Sequence, residues 1–191
     1  MDTDKHIRYV IKTEDRFSSL ELSRRFEELV QSADKKYDRI TFVCIGTDRS
    51  TGDSFGPLVG YMMSRFAKDY KVYGTLKDPV HAKNLDTILA EIDYSRELVV
   101  AVDASLGDTK HIGSIVLSNR PIKPGSGVGK NCTPVGDISI SGIVNMAGFA
   151  PGLLLQCTRL YSVHQMAEAV YWGVSSYFFR QKNQAAIEEM K

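Results

Sequence analysis

Little in this chain could crosslink it or hold a metal. It has three cysteines, Cys44, Cys132 and Cys157, too few and too scattered for a disulfide framework or a zinc knuckle. They fit a reducing compartment. Its four histidines, His6, His81, His111 and His164, show no HxxH or HExxH spacing, so neither a metal site nor a cofactor is expected. Charge excess is also missing: 24 basic and 23 acidic side chains leave a formal net charge of +1. That balance gives no reason to expect nucleic acid or an anionic membrane as a partner. The most apolar window, GIVNMAGFAPGLLL, is interrupted by Asn145 and Pro151 and is too short to cross a bilayer. The opening MDTDKHIRYVIKTEDR is polar rather than signal-like, and a cytoplasmic location is expected. Repeats and low-complexity stretches are absent as well, so residues 1–191 read as a single α/β domain, with about residues 1–16 a loose arm or an edge strand.

What is present is an alternation of strand-like and helix-like segments. Leu20, Leu22, Phe26 and Leu29 recur at helical spacing between Ser18 and about Lys35. RITFVCIG reads as a buried strand from Arg39 to Ile45, ended by Gly46. A helix follows with Phe55, Leu58, Val59, Met62, Met63 and Phe66 on one face and Pro57 in its first turn. Next come a short strand near Lys71–Tyr73, a helix over Leu85–Ile92 and the apolar strand ELVVAVDA, which ends at Asp103. HIGSIVLS and DISISGIV complete the strands. The last helix is predicted to open on a capping box, Ser162 and Gln165, and to carry one stripe from Val163 to Phe178. This pattern predicts a three-layer α/β/α sandwich with a mostly parallel sheet. The aromatic load of that helix (Tyr171, Trp172, Tyr177, Phe178, Phe179) is more than one face buries, which fits a homodimer contact, the alternative being a helix simply packed on the sheet.

The segment PGSGVGKN, Pro124–Asn131, superficially suggests a phosphate loop. A Walker A loop needs Gly-x-x-x-x-Gly-Lys-Ser/Thr between a strand and a helix. Here Pro124 stands at the first glycine position and Asn131 at the hydroxyl position, and Cys132-Thr133-Pro134 blocks an immediate helix. Nucleotide binding is not expected. Two readings remain: a tight surface turn whose glycines supply positive φ, or a flap whose backbone donors approach a substrate. Cys132 lies beside it, but no histidine is placed by sequence to activate its thiol.

Two carboxylates form the stronger constellation. Asp53 precedes the helix after the first buried strand, and Asp103 closes the second. Ligands of open α/β sheets collect at the carboxyl ends of strands, near a switch in strand order. If the two strands are neighbours, both carboxylates face one crevice. Asp53, near a helix N-terminus, is favoured in its ionised form. Desolvation and like-charge repulsion raise the proton affinity of Asp103. One charged and one protonated carboxyl is the requirement of an aspartic-type hydrolytic pair, although two carboxylates can also clasp a divalent metal. Asp48, in the same loop, competes for either role, and an N-cap plus a turn former is the purely structural alternative.

Taken together, IGTDRSTGDSFGP, VVAVDASLG and KPGSGVGK resemble two related families. One is the germination protease of spore-forming bacteria, an aspartic-type endopeptidase. Its Asp-x-x-Gly-Pro, Asp-Ala and Pro-Gly-Ser-Gly-Val-Gly segments match Asp53–Pro57, Asp103-Ala104 and Pro124–Gly129. The other is the hydrogenase maturation endopeptidases, whose two acidic nickel ligands would fall on Asp53 and Asp103, while the region Gly136–Ser141 lacks the third ligand, a histidine. Over nearly its full length the chain is similar to the YyaC-type sporulation proteins. The resemblance implies catalytic aspartates at Asp53 and Asp103 and a substrate-bordering loop of Gly125, Ser126, Gly127, Val128 and Gly129. It also implies a protein or peptide substrate and action inside the forespore or spore. A non-catalytic spore protein that keeps the cleft as a peptide- or partner-binding module is the alternative.

Overall fold

The computed structural model describes residues 6–65, 69–125 and 133–189. Six strands form one sheet: β1 (Arg8–Lys12), β2 (Arg39–Cys44), β3 (Tyr70–Tyr73), β4 (Glu97–Gly107), β5 (Ser114–Ser118) and β6 (Ile138–Met146). Their spatial order is β1-β5-β6-β4-β2-β3. β6, β4, β2 and β3 run parallel, and β5 alone is antiparallel to its neighbours β1 and β6. The N-terminal segment is thus an edge strand, paired Arg8 to Ser118 through Lys12 to Ser114.

The helices are α1 (Ser18–Gln31), α2 (Phe55–Ser64), α3 (Leu85–Leu89), α4 (Pro151–Gln156) and α5 (Leu160–Glu189). β2 and β4 are buried on both faces, which is why they read as unbroken apolar runs rather than alternating ones. One face packs against α1, α2 and α5, with Leu22, Phe26, Val59, Met63, Val170 and Val174 fully buried among strand residues. The other carries a thinner layer built on α3, where Val43, Val99 and Ala101 meet Leu85 and Ile92. These are three layers of unequal thickness. No helix among the described residues is long and apolar enough to cross a membrane.

Several boundaries differ from the sequence expectation for physical reasons. α1 stops at Gln31, where the Ser32 hydroxyl donates to the Leu29 carbonyl at 2.8 Å, and Leu20 lies on the exposed side of its stripe. α3 ends at Leu89 rather than Ile92, the chain continuing in a turn. α5 begins at Leu160, two residues before the expected capping box, so Ser162 lies inside the helix and is not its cap. The expected stripe is present, with Val163, Met166, Ala167, Val170, Val174 and Tyr177 buried. Phe66, expected on α2, lies outside the described residues.

Phe26 joins the layers. Its ring stacks on Phe42 of β2 at 6.1 Å and meets Tyr177 of α5 edge-on at 5.1 Å. Truncation leaves a cavity between three elements that are each held in place by others. We expect Phe26→Ala to lower unfolding free energy by about 3–5 kcal/mol, read from urea denaturation as a reduced midpoint with an unchanged slope.

Candidate functional site

The connection leaving β2 passes to β3 on one side, and β4 lies on the other. The carboxyl ends of β2 and β4 therefore flank a switch point, where the chain folds away in both directions and leaves a crevice. A cavity of about 870 Å³ opens there, and both Asp53 and Asp103 line it. β2 and β4 are direct neighbours, in register from Arg39 opposite Glu97 to Cys44 opposite Val102. The condition for a shared crevice is met.

Asp53 is placed by close backbone packing. It sits in a 3-10 turn, Gly52–Ser54, that runs straight into α2. A Cβ on Gly56 would lie 2.1 Å from the Ile45 carbonyl oxygen, and one on Gly46 would lie 2.0 Å from that of Asp53. Gly46 also has a φ of +141°, closed to side-chain-bearing residues. No larger residue lets the N-terminal turn of α2 settle on the end of β2. The Asp53 carbonyl then accepts the Thr47 N–H at 3.1 Å.

Asp103 is not the last residue of its strand, as expected from sequence. β4 continues to Gly107, because β6 sustains it on one side after β2 has turned away. The Asp103 carboxylate accepts the Ala104 N–H at 2.9 Å and, among the described residues, makes no salt bridge. Its proton affinity is raised well above the usual aspartate range, first by burial and then by the charge of Asp53; the Ala104 hydrogen bond opposes this. Asp48 and Arg49 line the same cavity, but Asp53 is the acid that acts electrostatically on Asp103.

Gly125, with φ +71°, borders the cavity beside Lys123 and Pro124. Ser126, Gly127, Val128 and Gly129, and with them Lys130 and Cys132, lie outside the described residues. The base of this loop is closed by a reciprocal pair of bonds between Ile122 and Val135, at 3.0 and 2.8 Å. Sequence reasoning missed several contributors. His81 reaches the cavity because the Val80–Ile45 bridge carries the chain after β3 across the end of β2. Lys77 and Lys83 come with it, and with Lys123 they make the rim basic. Ser141 stands beside Asp103 on β6, and Pro151 and Leu155 of α4 form a further wall.

Among the described residues, no group of three or more His, Cys, Asp or Glu side chains is placed to hold a metal ion. Cys44 is buried and its thiol is pushed up by desolvation, so it is no nucleophile.

The fold and cavity define an α/β protein with paired acids at a sheet switch point. The chain belongs to the family described as "Protein of unknown function (DUF1256)", whose model matches residues 10–173. It is 48% identical over 139 residues to the "Uncharacterized protein YyaC" of Bacillus subtilis (strain 168), an alignment covering 71% of this chain and 68% of that protein. Among solved structures it is similar to a NiFe hydrogenase maturation protease, HycI, from Thermococcus kodakarensis KOD1. That similarity covers 79% of this chain and 99% of the other, at 20% identity and a TM-score of 0.49.

The raised proton affinity of Asp103 has a thermodynamic consequence. The native state holds a proton on this group at pH values where the unfolded chain has released it. The contribution of Asp103 to stability therefore falls as pH climbs from the ordinary carboxylate range, about 4, toward the raised value. Asp103→Asn removes the titration but keeps an oxygen to accept the Ala104 N–H. We expect the variant to melt above the wild type at pH 7–8, with the difference shrinking as pH falls toward about 4. A Tm difference of the opposite sign, or one independent of pH, would contradict the assignment.

Proposed function

We propose that this protein is a sporulation-associated endopeptidase that hydrolyses a peptide bond in a protein substrate through Asp53 and Asp103, acting inside the spore compartment. The observation that carries the reading is the pairing itself: two acids in one open cavity, one of them driven toward its protonated form first by burial and then by the charge of the other. In the proposed reaction the Asp53 carboxylate takes a proton from water as the water oxygen bonds to the substrate carbonyl carbon. Asp103 gives its proton to the carbonyl oxygen. The C–N bond then breaks as the proton on Asp53 passes to the leaving nitrogen and the hydroxyl proton returns to Asp103, which restores both groups. The spore setting rests on the resemblance of the three motifs. The outward side chains of Trp172 and Phe179, 57% and 67% exposed on α5, support a homodimer contact.

A binding module without catalysis would be favoured by a sealed crevice or by aspartates locked in ion pairs with Arg49 or Lys130. The crevice is open, which supports the hydrolytic reading. The test is mass spectrometry of a spore-protein extract incubated with the wild type, with each single Asp→Asn variant and with the double variant. Discrete products are expected with the wild type and not with the double variant, and each single variant should form them more slowly by about 10²-fold or more. Identical product patterns from wild type and double variant would rule the two aspartates out.

A further inference from the structure

Strand β4 outlasts the neighbour it pairs with. The β2–β4 ladder ends at Cys44 opposite Val102, and the Ile45 N–H reaches back to the Val102 carbonyl at 2.7 Å. In a parallel ladder the next bond would run from the Thr47 N–H to the Ala104 carbonyl. It does not form: Thr47 donates to the Asp53 carbonyl at 3.1 Å, and the Gly46 N–H to that of Val80 at 2.8 Å. β4 nevertheless continues to Gly107, held from its other side by Ser141–Met146 of β6 with a register shift between Ser105 and Leu106 that skips Val144; the Gly107 carbonyl still turns to that side and accepts the Ala147 N–H at 2.7 Å, so the alternation along β4 is kept.

Main-chain groups of successive strand residues point alternately to the two sides of the strand. Val102 addresses β2, so Ala104 and Leu106 address the same side, where no strand follows. The Ala104 N–H is taken by the Asp103 carboxylate. The Ala104 carbonyl and both main-chain groups of Leu106 have no ladder partner there among the described residues. Open strand edges are usually shortened, bulged or covered. This one faces the cavity: Ala104, Ser105 and Leu106 line it together with Asp53 and Asp103.

We propose that a polypeptide enters the cavity in extended form and adds to β4 as a strand, continuing the line of β2 and pairing with the Ala104 carbonyl and the Leu106 N–H and carbonyl. A small molecule does not match a row of alternating donors and acceptors; a peptide main chain does. At about 3.3 Å per residue, Leu106 lies roughly 10 Å along the strand from Asp103. The strand bonds would thus grip substrate residues two or three positions from the bond presented to the acids. The proposal rests on the peptidase reading for cleavage, but not for binding.

The test is amide hydrogen exchange by NMR on the Asp53→Asn variant, which keeps the Asp103–Ala104 bond. The probe is a mixture of N-acetylated, C-amidated octapeptides randomised at every position, so that only the shared main chain is common to all members. The Leu106 amide should slow about tenfold or more as the mixture is raised, while Val102, already in the ladder, stays unchanged. Unchanged exchange at Leu106 overturns the proposal, whether or not other amides respond. So does protection without peptide that disappears on dilution, because a second copy of the chain would then occupy the edge. Mass spectrometry of the wild type with the same mixture separates the two readings. Protection at Leu106 without cleavage removes the peptidase and keeps strand addition; cleavage without protection does the reverse.

Discussion

The site depends on one close contact between backbones. The turn that opens α2 lies directly on the end of β2, with glycine at 46 and at 56 because a Cβ at either position would fall about 2 Å from a carbonyl oxygen. The contact fixes Asp53 at the mouth of the crevice and gives its carbonyl the Thr47 N–H. It also diverts the amide that would have carried the β2–β4 ladder onward. The placement of an acid and the opening of a strand edge are thus two results of the same packing event, and neither is free to change without the other.

From that contact the electrostatics follow. Asp103 follows a strand stretch buried on both faces up to Val102 and is itself part-buried in the cavity wall. The Asp53 charge adds to the cost of ionising it, and one hydrogen bond from Ala104 recovers part of that cost. In the proposed reaction this raised affinity lets Asp103 enter as the proton donor while Asp53 enters as the base. The surroundings differ on the two sides of the sheet: a basic rim of Lys77, Lys83 and Lys123 on one wall, Pro151 and Leu155 on another.

Much of the framework was legible because it depends on local pattern. β2 and β4 announce themselves as apolar runs since both faces are buried, and the α5 stripe follows helical spacing over four turns. The adjacency of the two strands was readable only as a condition, and the fold supplied it. Where reading failed, tertiary contacts had overridden local signals. Ser105 and Gly107 look like the start of a turn, yet pairing with β6 keeps that segment extended. Ser162 and Gln165 have capping-box spacing, but the helix begins earlier at Leu160. His81 carries no spacing signal, because a single bridge between Val80 and Ile45 delivers it to the cavity. α4 is a short helix with no buried residue, so it leaves no periodicity to find.

The most direct test of the account is a carbon-13 NMR titration of the Asp103 carboxyl in the wild type and in Asp53→Asn. The account predicts a midpoint above the ordinary aspartate range in the wild type and a lower one in the variant, where burial still acts but the neighbouring charge is gone. A midpoint in the ordinary range, or one that Asp53→Asn leaves in place, would show that the two acids are not coupled.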